Sequence, residues 1–322
     1  MTHRQCFSQE LRSQLVPEFY TAKARRRNAR WRLCIIIYRP RDPLGPITRP
    51  MSEISFIKMH GLGNDFVVID ARGGDVALDP DRVRAIAERR LGVGCDQLLE
   101  ICPPHSDEAA AFMRIWNADG GEVEACGNGV RCVAAFLMTE GGTEEVAIDT
   151  LAGLIRAERA DRGRIAVDMG EARFDWEQIP LAREMDTLKL DLSLGPLSAP
   201  VAVNMGNPHA VFFVDDAEKV DIASLGPKLE TNALFPERAN IGVAEVRGDD
   251  EIRFRVWERG VGVTQACGTG ACAAMVAASR RGLIGRAAAV ILDGGTLDIE
   301  WLEDNHVCMT GSVATSFMGL LL

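Results

Sequence analysis

From residue 54 onward the apolar positions fall into short extended runs. Phe66–Ile69, Ala111–Trp116, Val211–Val214 and Ile252–Trp257 are rich in Val, Ile and Phe and alternate with turn-forming residues, which predicts strands. Two stretches break this pattern. Val130 to Met138 is apolar apart from Arg131, and Ala271 to Ala278 is almost wholly Ala, Met and Val. A helix that is apolar on every side is a buried one, so each stretch predicts a helix enclosed by sheet. The second closes on Arg280-Arg281-Gly282, with cations at the negative pole and Gly in the stopping position, and this fixes its direction.

The two helix-forming stretches belong to a repeat. Met113-Arg114-Ile115-Trp116-Asn117 leads to Ala125-Cys126-Gly127-Asn128-Gly129, and Phe254-Arg255-Val256-Trp257-Glu258 leads to Ala266-Cys267-Gly268-Thr269-Gly270. Each cysteine stands ten residues after its Trp, and the cysteines are 267 − 126 = 141 apart. Upstream, Gly63-Asn64 and Gly206-Asn207 both lead into apolar runs that end in Asp, Phe66–Asp70 and Ala210–Asp215. Repeats of this kind organise a fold before any motif does. The expectation is an α+β protein of two homologous domains related by a pseudo-two-fold axis, residues 51–172 and 173–310. Each domain wraps a mostly antiparallel or mixed sheet around its central helix, the active site lies in the interdomain cleft, and a tail at 311–322 returns to the first half.

Each cysteine is thereby placed at a helix N-terminus, where unpaired N–H groups and a partial positive charge favour a thiolate and an approaching anion. Such placement is expected to lower the thiol pKa. The glycines at 127, 129, 268 and 270 leave the N–H groups open. If the two thiols face each other across the cleft, one removes an α-proton from one face of a carbon and the other delivers a proton to the opposite face, which is what stereochemical inversion requires. N–H groups aimed at the substrate carboxylate stabilise the carbanion.

Composition narrows the alternatives. With 36 Lys and Arg against 46 Asp and Glu the net charge is −10, and no basic stripe marks the body, which argues against a nucleic-acid partner. The longest apolar runs fall far short of a membrane span. Residues 1–50 differ, with 11 basic and 3 acidic residues and five of the 14 prolines. Three readings compete for them: a start placed too far upstream, with Met51 the true start, which is preferred; a disordered basic arm; and a transit peptide. Nine cysteines without a CxxC pair suggest a reduced, cytoplasmic protein with no metal site. Cys132 and Cys272 read as core residues, Cys95, Cys102 and Cys308 as inert, and a disulfide between Cys126 and Cys267 as an oxidised, inactive form. Of the five lysines, Lys58 alone has a setting that would suit a pyridoxal Schiff base, and that cofactor is rejected.

On these residues the chain resembles the diaminopimelate epimerases. The resemblance runs from residue 54 to about 320 and rests on Lys58 to Phe66, Gly92 to Gln97, Asn117 to Gly120, Ala125 to Arg131, Met205 to His209, Asn240 to Gly242, and Trp257 to Gly270. It implies cofactor-independent interconversion of LL- and meso-diaminopimelate, on the route to lysine and peptidoglycan, by a homodimer. By this resemblance Cys126 and Cys267 are the two bases, and Gly127, Asn128, Gly268 and Thr269 hold the carboxylate of the reacting centre. Asn64, Asn117, Asn207, Asn240 and Arg259 grip the distal amino-acid end, Gln97 lies near the pocket wall, and His209 and Glu258 support the reacting centre. A second zwitterionic end needs such a set of donors, acceptors and one forked cation. The rival within the same chemistry is a proline or hydroxyproline racemase, whose compact ring has no second head to grip. A redox-sensing or ligand-binding module with paired thiols is the alternative outside enzymes.

Overall fold

The computed structural model describes residues 53–74, 76–123 and 126–321, so the competing readings of residues 1–50 lie outside the described residues. The first half comprises β1 (Ile54–Gly61), β2 (Asn64–Asp70), α1 (Pro80–Ala87), β3 (Gln97–Cys102), β4 (Ala111–Asn117), β5 (Glu122–Val123), α2 (Gly127–Gly141), β6 (Glu145–Thr150), β7 (Gly153–Arg159) and β8 (Ile165–Glu171). The second comprises β9 (Ser193–Leu194), β10 (Leu197–Ser198), β11 (Val201–Asn204), β12 (Pro208–Phe213), α3 (Ile222–Glu230), β13 (Asn240–Val246), β14 (Glu251–Glu258), β15 (Gly262–Val263), α4 (Gly268–Arg280), β16 (Ala287–Leu292), β17 (Gly295–Trp301), β18 (His306–Gly311) and β19 (Ala314–Leu321).

The duplication is visible in the pairing. In the first half β2 runs parallel to β3 and β4 parallel to β6; in the second β12 runs parallel to β13 and β14 parallel to β16. Antiparallel neighbours fill the remaining ladders, giving the mixed sheet of an α+β fold. α2 and α4 are the enclosed helices. Val130, Cys132, Val133, Ala134 and Met138 are buried against β1 to β4 and β6 to β8, and the whole of Ala271–Ala278 is buried against the second-half strands. Gly142 ends α2 in the left-handed conformation at φ 65°, with its N–H on the Met138 carbonyl.

Where the sequence suggests a sheet for each half, the structure joins them. β8 pairs antiparallel with β18, Ala166 opposite Thr310, so the ladder runs unbroken from the first half into the second. β19 then pairs with β1, Ile54 opposite Leu321, and the C-terminal strand lies on the first half. β1 and β8, the two edges of the first half-sheet, are thereby both paired, which removes unpaired backbone at the junction of the halves. Two further helices, α1 and α3, occupy equivalent places in the repeat. Asp79 caps α1 by accepting from Arg82 N at 2.8 Å, and Asp221 caps α3 by accepting from Ser224 N at 3.2 Å.

The β1–β2 hairpin crosses between the halves. Its two-residue turn places Leu62 at φ 55° and Gly63 at φ 85°, a left-handed pair suited to a tight hairpin but costly for a leucine. The Leu62 side chain offsets that cost by entering the core of the second half beside Val203, Met205 and Ala266. Gly294 lies against the Leu62 carbonyl so closely that a Cβ there would overlap backbone, and its N–H donates to Gln265 O at 2.7 Å. Gly294→Ala is therefore expected to push the hairpin tip off the second half. A fall in thermal stability worth roughly 1–3 kcal/mol is the expected result, read by calorimetry; an unchanged melting temperature would show that the contact is dispensable.

Candidate active site

Both cysteines cap the central helices. Cys126 (φ −150°, ψ 100°) precedes α2 and Cys267 (φ −117°, ψ 109°) precedes α4, each in extended backbone that turns the side chain back over the first helical turn. Gly129 N–H donates to Cys126 Sγ at 3.4 Å, whereas Cys267 Sγ makes no capping hydrogen bond to the start of α4. The glycines that follow the cysteines are demanded by packing. A Cβ on Gly127 would sit 2.8 Å from Met169 Cε and 3.0 Å from Met309 Cε, and one on Gly268 would sit 3.0 Å from Met309 Sδ. The β18 residue Met309 thus lies against both helix starts at once, and α2 and α4 touch there.

Around Cys267 the groups are close. Thr269 Oγ1 lies 3.6 Å from its sulfur, and His209 Nε2 lies 3.1 Å from that hydroxyl and 2.8 Å from Asn207 Oδ1. His209 is fully buried, and burial, with the nearby Arg259 charge, pushes its pKa down to about 3, so its ring is neutral. Glu258 receives the Thr264 hydroxyl, and its charge bears on both thiols. Burial raises its pKa above the ordinary carboxylate value.

A helix start favours a lowered thiol pKa, but in the structure both thiols are shifted upward. Burial pushes Cys126 up to about 11, against the opposing N–H groups of Gly129 and Asn128 and with help from Glu258. Burial, reinforced by Glu258, also pushes Cys267 well above its ordinary value. Desolvation outweighs the dipole here because few bare N–H groups replace water around the sulfur. Both shifts favour the protonated thiol over the thiolate.

The remaining residues singled out in the sequence divide into three sets. Asn128 is nearly buried and bridges the halves, donating to Ala266 O at 3.1 Å and Asn64 Oδ1 at 3.2 Å. Asn64 in turn donates to Asp96 Oδ2 at 2.9 Å. Asn240 accepts from Arg259 N at 2.9 Å and donates to Pro208 O at 3.0 Å, so it braces the turn that carries Arg259, whose guanidinium is exposed and reaches the Glu237 carbonyl. Gln97 and Asn117 pair with each other at 2.9 Å across β3 and β4. Three contributors carried no role in the sequence reading: Asp96, which orients Asn64; Thr264, which holds Glu258; and Met309. Asp96 and Thr264 lie inside the motif strings, whereas Met309 is brought in by β18 and has no local signal. Cys132 and Cys272 are wholly buried, as expected of core residues.

A family model described as diaminopimelate epimerase matches residues 56–175 and 201–316. A diaminopimelate epimerase from Rhodospirillum centenum is 58% identical over 266 residues, covering 83% of this chain and 91% of the relative. The chain belongs to the diaminopimelate epimerase family. Among solved structures, a predicted epimerase from Pseudomonas aeruginosa aligns with TM-score 0.61 at 20% identity over 84% of this chain and 99% of that one. A hydroxyproline epimerase from Agrobacterium vitis aligns with TM-score 0.60 at 16% identity over 84% and 91%. At such identities these likenesses concern the fold that diaminopimelate epimerases share with their neighbours. Among the described residues no helix is long and apolar enough to cross a membrane.

Proposed function

We propose that this chain interconverts LL- and meso-diaminopimelate by a two-base thiol mechanism that needs no cofactor. The observation that carries the reading is the pair of cysteines at the starts of α2 and α4, one from each half. One thiolate takes the α-proton, and the opposite thiol protonates the other face. The free N–H groups of Gly127, Asn128, Gly268 and Thr269 receive the adjacent carboxylate as negative charge develops there. One thiol must ionise first. The substrate's α-ammonium, entering a site where burial has suppressed thiolate, supplies the positive charge that favours it. Glu258 and the neutral His209, acting through Thr269, set the surroundings of Cys267.

Asn64, Asn207, Asn240 and Arg259 form the set for a second amino-acid head, which a proline or hydroxyproline ring lacks, and family membership favours the same substrate. A pyridoxal Schiff base is disfavoured by the one lysine with a suitable sequence setting: Lys58 is nearly buried and tied to Asp65 and the Gly94 carbonyl. A homodimer in the cytoplasm, serving lysine and peptidoglycan precursor synthesis, completes the proposal. The test is proton NMR of LL-diaminopimelate with the purified protein in deuterated water and a reducing agent. Loss of the α-proton signal with growth of the meso isomer is expected. No exchange, with folded protein and free thiols, would sink the reading.

A further inference from the structure

Behind the paired helix starts lies a group to which the mechanism gives no task. Arg131 has no exposed surface and is the bulkiest of the wholly enclosed side chains. Among the described residues no carboxylate lies within 4 Å of it. Its Nη2 donates to Asn128 Oδ1 at 2.9 Å, its Nη1 meets Met309 Sδ at 3.4 Å, and its Nε has no partner. The space it fills is shaped by glycines: a Cβ on Gly61 would sit 3.0 Å from Nη2, and one on Gly311 would sit 3.1 Å from Nε. The repeat does not require an arginine here, since 131 + 141 = 272 and the equivalent position in α4 is Cys272. A buried charge without a counter-ion is costly, and apolar replacements at such positions are often neutral or stabilising. Stability therefore does not explain this residue.

Its geometry does. By occupying Asn128 Oδ1, Arg131 dictates which way that amide points, leaving both Nδ2 hydrogens for Asn64 Oδ1 and for the carbonyl of Ala266, the residue before Cys267. Asn64 Oδ1 is thereby committed, and its own Nδ2 is turned to Asp96. A single guanidinium on the Cys126 helix thus orders a residue of the substrate-binding set and the approach to Cys267. We propose that Arg131 is a positioning residue of this site: through Asn128 it aligns the two cysteine-bearing helix starts, and its uncompensated charge favours anions between them. The proposal rests on the two-thiol reading for its activity readouts. Cys126 at the cap of α2, Cys132 on α2 and Cys272 on α4 are the titratable groups around the guanidinium. β1 and β18 present Gly61, Met309 and Gly311 to it, and Glu258 is the anionic group whose charge bears on Cys126.

The experiment compares Arg131→Met and Arg131→Lys with wild type by melting temperature, by kcat and KM on diaminopimelate, and by the pH dependence of iodoacetamide alkylation at Cys126, read peptide by peptide in a mass spectrometer. Arg131→Met is expected to melt at or above the wild-type temperature while kcat falls about 10- to 100-fold, with alkylation displaced upward by about one pH unit. Arg131→Lys keeps the charge without the fork, so its alkylation profile returns to that of wild type while kcat stays low. A Met variant with kcat within twofold of wild type would overturn the proposal. So would a loss of kcat that tracks a loss of melting temperature with no displacement of alkylation, which is the signature of a merely structural role. If the Met variant does not fold, a Lys variant with full kcat or a displaced alkylation profile overturns it equally. Alkylation needs no substrate, so a wild-type protein inert on diaminopimelate would sink the substrate reading and leave Arg131 to be judged by the thiol.

Discussion

Cys126→Ala and Cys267→Ala are each expected to lose epimerisation by about 10³-fold or more while remaining folded. Inversion needs a proton removed on one side and delivered on the other, and the two thiols come from different helices in different halves, so neither substitutes for its partner. The surviving thiolate still exchanges an α-proton on its own face. Deuterium is therefore expected to enter one stereoisomer with retention, the isomer differing between the two variants. Folding tolerates the change because the loss is one sulfur atom at a helix start, worth about 1 kcal/mol of packing. In the Cys126 variant the Gly129 N–H, which the sulfur had capped, stays at the helix start. NMR of each isomer in deuterated water separates exchange from inversion. Inversion at a rate near wild type in either variant would refute the two-base assignment.

What the sequence makes legible follows from how local each feature is. The paired cysteines are readable because the repeat spacing and the Gly-x-Gly turns after them are local, and the enclosed helices because Val130–Met138 and Ala271–Ala278 have no polar face. The helices α1 and α3 are not, being 8 and 9 residues long with Pro227 inside the second; their apolar faces become recognisable once Val83 and Ile86, or Ile222 and Leu229, have a core to meet. The single sheet depends on β8 meeting β18, a pairing of residues 165–171 with 306–311 that no local pattern announces. Titration is the least legible property of the site. A helix start lowers a thiol pKa when water still reaches the sulfur, and whether it does is decided by Met169, Met309 and Phe254 packing over the adjoining glycines. Arg131 is the reverse case, visible as a lone polar residue in an apolar run. Its meaning lies in Asn128, three residues away, and in Met309, 178 residues away.

The same buried thiols predict a steep loss of stability in alkali. Cys95, Cys132, Cys267 and Cys272 are all buried, and burial pushes Cys95 up to about 11, Cys132 up to about 12, and Cys267 and Cys272 upward as well. A thiol with a raised pKa holds its proton more tightly in the fold than in the unfolded chain. Below the ordinary thiol value both states are protonated and pH has no leverage. Above it the unfolded chain releases protons that the fold retains, so stability falls as pH rises from about 9, and the fall continues to about 11, where the first of these thiols ionises in place. Each contributes on the order of 1 kcal/mol per pH unit in that window. Four together reach roughly the whole stability of a domain. Melting temperatures measured under reducing conditions are expected to hold level from pH 7 to 8.5 and drop sharply by pH 10. Cys272→Ala removes one thiol from the balance and flattens the drop by its share, even though it trims a packed helix. A melting temperature that stays level to pH 10.5 would mean that these sulfurs ionise in the fold as readily as in water, contrary to their enclosure.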